Sequence, residues 1–317
     1  MRKINYPKRG SSDFKTLTTA YLGIYSKKAL TMMQKRWYNW KRKNGVNNIP
    51  ETVRKLLTAD VNVLADVYER FVALPIPSTL PGPNGKDVRS DAYNELDGIF
   101  NYSDKYSSKI ATFFCNHADD LNISSCHYCE LAYVNTYDVI DGSDAKKHKH
   151  FDLDHFLPKS KCPILGLSLF NFVPSCQVCN SRIKSNNTIG ADKLEWVQFS
   201  PVSETYNFDK DVTIRLRMHT GPDTKFRKKG EYYIYFRCKN NFDVPVKAFH
   251  LEERYEFHKI EAMRLRQLKA QYPLSARRKI AKLLGFSEAK VKEDIFHEKF
   301  LKENDRCFAK LTRDMLK

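Results

Sequence analysis

Two Cys-x2-Cys pairs, Cys126-x2-Cys129 and Cys176-x2-Cys179, constrain the fold of this chain more than any other feature of its sequence. A tight turn in each pair presents two thiolates from one side, and two such turns can close a tetrahedron around Zn²⁺. Such a site has no open position, so we predict a structural zinc ion that frames the interval between the pairs. The other cysteines are isolated, and we expect ordinary buried thiols at Cys115, Cys162, Cys238 and Cys307.

Length and hydropathy set the class of protein. The chain has 317 residues, of which 42% are hydrophobic, enough for two domains or for one domain with extensions. The basic start MRKINYPKRG is not followed by the apolar segment of a secretory signal. The most apolar run, CPILGLSLFNFVPSC, is too short and too interrupted to span a bilayer. We therefore expect a cytoplasmic protein without a membrane partner.

The charge of the chain indicates a polyanionic partner. The net charge is +17, and an excess of that size favours nucleic acid. It is concentrated at the start, since residues 1–50 hold twelve Lys and Arg but only one acid, Asp13. Trp37, Tyr38 and Trp40 lie among these cations, where they could stack on bases or pack in a core. A second basic segment follows residue 224, with Lys225, Arg227, Lys228 and Lys229.

The flanks of the cysteine interval have recognisable local patterns. Asn44-Gly45 predicts a helix end, and Pro50 predicts the start of a helix whose apolar stripe runs to Phe71. Residues 212–218 and 231–238 alternate or are rich in β-branched and aromatic residues, which predicts a β-hairpin. From about residue 247 the pattern is helical, with predicted N-caps at Ser275 and Ser287 and a predicted C-cap at Gly285.

An acid and an imidazole lie side by side between the cysteine pairs, in the stretch FDLDHFLPKS. Asp154 and His155 could bind a metal, transfer protons or form a polar turn. Hydrolysis of a phosphodiester needs a base, a cation that stabilises developing charge, and groups that hold the phosphate. His155 suits the base, because an ordinary histidine titrates near neutral pH. Asp154 and Asn180 offer the oxygen ligands that Mg²⁺ prefers.

The string CHYC…FDLDHFLPKS…LSLFNFVPSCQVCNSRIKS resembles HNH endonucleases of the ββα-metal type, in their four-cysteine zinc variety. The resemblance covers about residues 120–190. It implies a β-hairpin followed by a helix, with Mg²⁺ or Mn²⁺ as the catalytic ion. It also implies these roles: Asp154 and Asn180 as metal ligands, His155 as general base, Asn171 as the residue that hydrogen-bonds loop backbone and orients the histidine, and Arg182 and Lys184 as phosphate contacts, with Lys184 the better candidate.

The residue sequence of the motif is also similar to that of HNH subunits of bacterial anti-phage systems of the Septu type, which work beside an ATPase. That similarity implies a separate ATPase subunit as partner, because this chain has no GxxxxGK[ST] motif.

We predict an α+β fold in which mainly helical flanks surround a zinc-stapled HNH core. The expected divisions are a basic helical region over residues 1–115, the nuclease core over 116–200, and a β-hairpin with a helical region over 201–317. The predicted function is metal-dependent endonucleolytic cleavage of DNA in bacterial defence, and RNA remains an open substrate. The alternative is a non-catalytic zinc-ribbon module that binds nucleic acid or scaffolds a complex.

Overall fold

The computed structural model describes residues 1–141, 144–219, 229–297 and 306–317, with residues 84, 141 and 144–146 described by their backbone only. About half of the chain is helical, and all strand pairs within these segments are antiparallel and two-stranded. This mixture agrees with the predicted α+β class. The described chain forms two compact units, one of residues 3–123 and 135–206 and one of residues 1–2, 124–134 and 207–317. The predicted boundaries near 115 and 200 stay predictions.

The first unit contains seven described α-helices and three hairpins. The helices are α1 Ser12–Leu22, α2 Lys27–Lys43, α3 Val53–Thr58, α4 Val61–Val72, α5 Asp91–Ile99, α6 Ser107–Asn116 and α7 Lys193–Phe199. The hairpins pair β1 Thr79–Pro81 with β2 Asp87–Arg89, β3 Thr136–Asp141 with β4 Asp144–Lys149, and β5 Asp152–His155 with β6 Phe172–Ser175. π-helical turns occupy Tyr102–Tyr106 and Val178–Lys184.

The N-terminal helices follow the predicted signals in part. Helix α2 ends at Lys43, and Gly45 then adopts a positive φ of 66°, so the predicted stop is confirmed. The single helix predicted from Pro50 to Phe71 is wrong, because α3 and α4 are separate. Ala59 is extended between them, and the side chain of Asp60 accepts a hydrogen bond from the Val63 N–H and caps α4.

Trp37 and Trp40 pack in the core of the first unit. Both are almost fully buried, and their rings stack with centroids 5.4 Å apart. Each indole N–H donates to a backbone carbonyl, that of Trp37 to Glu51 and that of Trp40 to Ala92. Tyr38 alone of the three aromatic residues is exposed. Of the two roles that the sequence left open, the tryptophans therefore have the core role.

The second unit is built on one long hairpin and a set of helices. Strand β7 Val212–Met218 pairs with β8 Tyr232–Cys238, which confirms the predicted hairpin. The described helices are α8 Phe208–Asp211, α9 Asp243–Ala248, α10 Leu251–Glu256, α11 Lys259–Gln271, α12 Leu274–Leu284, α13 Glu288–Phe296 and α14 Ala309–Leu316. Lys225, Arg227 and Lys228 lie outside the described residues.

Helix ends in the second unit test three predicted caps. The Ser287 hydroxyl accepts a hydrogen bond from the Lys290 N–H at the start of α13, and Gly285 ends α12 with a φ of 69°, so both predictions are confirmed. The predicted cap at Ser275 is wrong. The N-cap is Pro273, two residues earlier, and helix α12 begins at Leu274.

None of the helices in the described segments combines the length and the apolar character that crossing a bilayer requires.

Candidate metal centre and active site

The four cysteines of the two pairs come together. The sulfur atoms of Cys126, Cys129, Cys176 and Cys179 all lie within 4.8 Å of one another. Thiolates that bind a common tetrahedral Zn²⁺ at about 2.3 Å lie about 3.8 Å apart, which is inside this limit. All but Cys176 are buried, as a structural site requires. The arrangement fits a zinc ion, and within the described residues no other group of three or more acidic, histidine or cysteine side chains is close enough to hold a metal.

The local backbone explains how each pair presents its sulfurs. After Cys129 the chain turns back through Glu130, whose φ is 56° and whose N–H donates to the Cys126 carbonyl. The Leu131 N–H donates to the Cys129 sulfur at 3.4 Å, a contact that favours a thiolate. In the second pair, the Asn180 N–H donates to the Cys176 carbonyl, so the knuckle runs directly into the turn Val178–Lys184.

A short buried hairpin carries the predicted acid and base. In β5–β6, Asp154 lies opposite Val173 and His155 lies opposite Phe172. Both Asp154 and His155 are buried, with 4% and 8% of their surface exposed. Successive strand residues point to opposite faces, and β5 ends at His155. The two side chains therefore meet different surroundings although they are neighbours in the chain.

Asn171 holds the loop that joins the two strands. Its Oδ1 accepts a hydrogen bond from the Leu157 N–H at 2.8 Å, and its Nδ2 donates to the carbonyls of Leu157 and Leu165. The residue is 1% exposed, so these backbone groups have little access to water. The amide thus ties the start of the loop to its middle, one residue before the carbonyl that contacts His155.

That carbonyl belongs to Gly166 and fixes the form of the imidazole. It lies 2.9 Å from His155 Nε2, and because a carbonyl only accepts, Nε2 carries the hydrogen and Nδ1 carries the lone pair of the neutral ring. The pKa of His155 is lowered to about 3, chiefly by burial and in smaller part by the charges of Lys159 and Lys184, while the hydrogen bond to Gly166 acts in the opposite direction. The pKa therefore lies below the ordinary histidine value considered from the sequence, and the imidazole is uncharged at neutral pH.

Lys184 lies against the acid. Its Nζ is 3.1 Å from Asp154 Oδ2 and 2.7 Å from the His155 carbonyl oxygen, and it is 3% exposed. Burial lowers the pKa of Lys184, and the neighbouring Asp154 carboxylate raises it in part. Arg182, two residues earlier in the same turn, is exposed. Accessibility therefore reverses the preference expected from sequence, and Arg182 is the better placed of the two cations to meet a phosphate; both roles stay predictions.

Asn180 contacts strand β5 through the side chain of Asp152. Its Nδ2 donates to Asp152 Oδ2 at 3.2 Å. Asp152 and Asp154 share a face of β5, since they are two residues apart on a strand. Two carboxylates and the turn that bears the Asn180 amide thus line one side of the hairpin. Oxygen donors of this kind suit Mg²⁺ or Mn²⁺, and the ligand roles of Asp154 and Asn180 stay predictions.

Tyr102 was not predicted from the sequence, and it lies near both His155 and the two aspartates of β5. Its ring meets that of His155 edge to face, with centroids 4.7 Å apart. The pKa of Tyr102 is raised to about 12, chiefly by burial and in smaller part by the negative charges of Asp152 and Asp154. The ammonium of Lys159 lies 5.8 Å from the Tyr102 ring centre. No motif surrounds Tyr102, so only its position in the fold identifies it.

A search of protein-family models, of curated proteins and of solved structures finds nothing that matches this chain.

Proposed function

We propose that the chain is a metal-dependent phosphodiesterase of the HNH type that cleaves nucleic acid internally. One observation carries the proposal. The first strand of a two-stranded antiparallel hairpin ends in Asp154 and His155. Its second strand leads through the second cysteine knuckle into the turn that bears Asn180 and Lys184. This is the strand–strand–helix order implied by the resemblance of the motif, and it brings an imidazole, carboxylates and cations to one hairpin.

His155 acts as the base in this proposal. Its Nδ1 lone pair takes a proton from the attacking water, and the water oxygen bonds to phosphorus. One P–O ester bond then breaks, and the alkoxide that leaves takes a proton from solvent to become the alcohol. Hydrogen bonding of Nε2 to Gly166 holds the ring in the tautomer that leaves Nδ1 as acceptor. A pKa near 3 makes a weak base, but an anionic phosphodiester beside the ring would raise the pKa, because negative charge favours the imidazolium.

Asp154 and Asn180 would hold the divalent ion, with Asp152 beside them. The ion would stabilise negative charge on the phosphoryl and leaving oxygens. Lys184 orients the Asp154 carboxylate by pairing with it. Asn171 keeps the histidine loop in shape through three backbone hydrogen bonds.

Two cations are available to position the phosphate. Arg182 is exposed on the turn after the second knuckle. Lys159 is close enough to His155 for its charge to lower the histidine pKa, and it is half-buried beside Tyr102. Phosphate contacts from such residues position a strand without reading its sequence. DNA is the proposed substrate on the strength of the motif, with RNA open, and a setting in anti-phage defence beside a separate ATPase stays a prediction.

The alternative, a non-catalytic nucleic-acid-binding or scaffold module, draws on one observation. The ammonium of Lys184 already neutralises Asp154, which a protein without catalytic metal could use simply to stabilise the hairpin. A nicking assay on supercoiled plasmid with Mg²⁺ or Mn²⁺ separates the two. The nuclease proposal expects His155→Ala to lose about 10² to 10⁴ in rate.

The matched control is His150→Ala, since His150 is an exposed histidine five positions away whose ring contacts only Asn135 among the described residues. It should nick like the wild type. Zinc content and melting temperature of both variants, measured on the same preparations, exclude loss of fold. Equal nicking by wild type and His155→Ala would refute the catalytic role.

A further inference from the structure

The β7–β8 hairpin has one apolar and one polar face. Val212, Ile214 and Leu216 of β7 are buried, and so are Tyr232, Ile234 and Phe236 of β8. The opposite face carries Arg215, Arg217, His219, Tyr233, Tyr235 and Arg237, which we term the Arg–Tyr face. The arginines and His219 are exposed and the tyrosines half-buried. Thr213 completes the face, so its strand positions hold no acid.

The register interleaves cations with aromatic rings. Arg215 lies opposite Tyr235, and Arg217 lies opposite Tyr233. The Arg217 guanidinium is also 4.8 Å from the centre of the Tyr235 ring, on the diagonal. Residues of one face are spaced by about 7 Å along a strand. The His219 ring also lies against that of Tyr233, with centroids 4.9 Å apart, so each tyrosine already has one side next to a cationic or imidazole side chain, and a base would stack on the remaining exposed part of the ring.

The arginines of the face are not neutralised by the described residues. Within the described segments, none of Arg215, Arg217 and Arg237 forms an ion pair, whereas Arg254 and Arg313 elsewhere in the same unit do have partners. The nearest acids in sequence lie just outside the strands, Asp211 and Glu231, and Asp211 accepts a hydrogen bond from the Asn240 side chain. Among the described residues, no acid neutralises these three positive charges, which leaves them accessible to an external anion.

Three N–H groups at the edges of the ribbon are already bonded to acidic side chains. The Ile214 N–H donates to the Asp314 carboxylate, and the Ile234 and Phe236 N–H groups donate to Glu256 and Glu252. Extended peptides bind a sheet through such edge groups. Because these donors are already bonded, we expect the side chains of the Arg–Tyr face, and not the backbone edges, to contact a ligand.

We propose that the Arg–Tyr face binds single-stranded nucleic acid, with bases stacked on Tyr233 and Tyr235 and phosphates bound by Arg215, Arg217 and Arg237. Aromatic rings alternating with arginines suit a strand whose bases are unpaired, because stacking requires access to a base face that a duplex conceals. The face lies on a different unit from the hairpin that carries His155, and its binding does not depend on the nuclease proposal.

Fluorescence anisotropy with labelled oligo(dT), in buffer without added divalent ions so that no cleavage occurs, tests the proposal on the full chain. Arg215→Ala/Arg217→Ala/Arg237→Ala should weaken binding and lower the slope of log K against log salt by about 2, from three contacts at ~0.7 each. Tyr233→Ala and Tyr235→Ala should each weaken binding about tenfold, while the corresponding Phe variants bind like the wild type.

The matched control removes three exposed cations from α12 of the same unit, Arg278→Ala/Lys279→Ala/Lys282→Ala. An equal loss of affinity in this control would overturn the proposal, since net charge alone would explain binding. Tyr→Ala variants that bind normally would also overturn it, because duplex or other phosphate contacts would then suffice. Binding of polyglutamate as tight as that of oligo(dT) would assign the face to an acidic protein instead.

Photocrosslinking of wild-type protein covers the case in which a variant fails to fold. An oligonucleotide containing 5-iodouracil should crosslink to the peptide that contains Tyr233 and Tyr235, as mapped by mass spectrometry. Crosslinks confined to other peptides would contradict the proposal. A normal plasmid-nicking rate together with failed oligo(dT) binding would reject this inference alone.

Discussion

Lys184 and Asp154, thirty positions apart, form an ion pair in which both side chains are almost completely buried, at 1% and 4% exposure. The pair joins the turn after the second cysteine knuckle to the end of β5. Because both charges are withdrawn from water, their energetic effect is expected to be large when one partner is removed and small when both are replaced together.

We predict that Lys184→Met destabilises the protein by about 3 kcal/mol, since the Asp154 carboxylate then stays buried without its ammonium partner. Urea unfolding followed by circular dichroism measures the change. The double variant Lys184→Met/Asp154→Asn should recover at least half of the loss, because no charge remains buried. Additive losses in the double variant would show that the two side chains do not interact.

Asn171→Ala should destabilise the protein by about 2 kcal/mol or more, because two loop carbonyls and one N–H lose their buried partner. Asn171→Asp should be comparably damaging, since a carboxylate cannot donate to the Leu157 and Leu165 carbonyls. The exposed Asn187 offers the control, and Asn187→Ala should change the free energy of unfolding by less than about 0.5 kcal/mol. A stable Asn171→Ala protein would argue against the clamp.

Cys176→Ser should lose the zinc ion. A serine hydroxyl is a poor replacement for a thiolate ligand, and the remaining three sulfurs then hold the ion weakly. Elemental analysis after dialysis should find about one zinc per wild-type chain and far less in the variant. Cys238→Ser is matched, because Cys238 is also half-buried but lies outside the four-sulfur cluster, and it should keep its zinc. Equal zinc in both variants would contradict the assignment.

Trp37→Ala should cost about 3 to 5 kcal/mol of stability, because the indole is fully buried and its N–H loses the Glu51 carbonyl. Tyr38→Ala should leave the unfolding free energy nearly unchanged, since that ring is 58% exposed. Thermal and urea unfolding of the two neighbours distinguish core from surface. Comparable losses at both positions would mean that Tyr38 is also packed.

The local parts of the structure were predictable from the sequence. The two cysteine pairs predicted the four-sulfur cluster, because the Cys-x2-Cys spacing itself makes each turn present two sulfurs. The β7–β8 hairpin, the helix stop at Gly45 and the caps at Ser287 and Gly285 likewise follow from nearby residues. The helix break at Ala59 was missed, since capping by Asp60 competes with an uninterrupted apolar stripe.

Tertiary structure decided what surrounds each chemical group. The sequence named Lys184 as a phosphate contact, but packing buries its ammonium against Asp154. An ordinary pKa was expected for His155. Burial instead keeps the ring uncharged, and the hydrogen bond to the Gly166 carbonyl sets its tautomer. Tyr102 has no motif, and it joins the site only because distant segments pack together. Spacing along the chain determines which groups a turn presents. Burial, ion pairing and pKa depend on contacts between residues far apart in sequence, and no local pattern encodes those contacts.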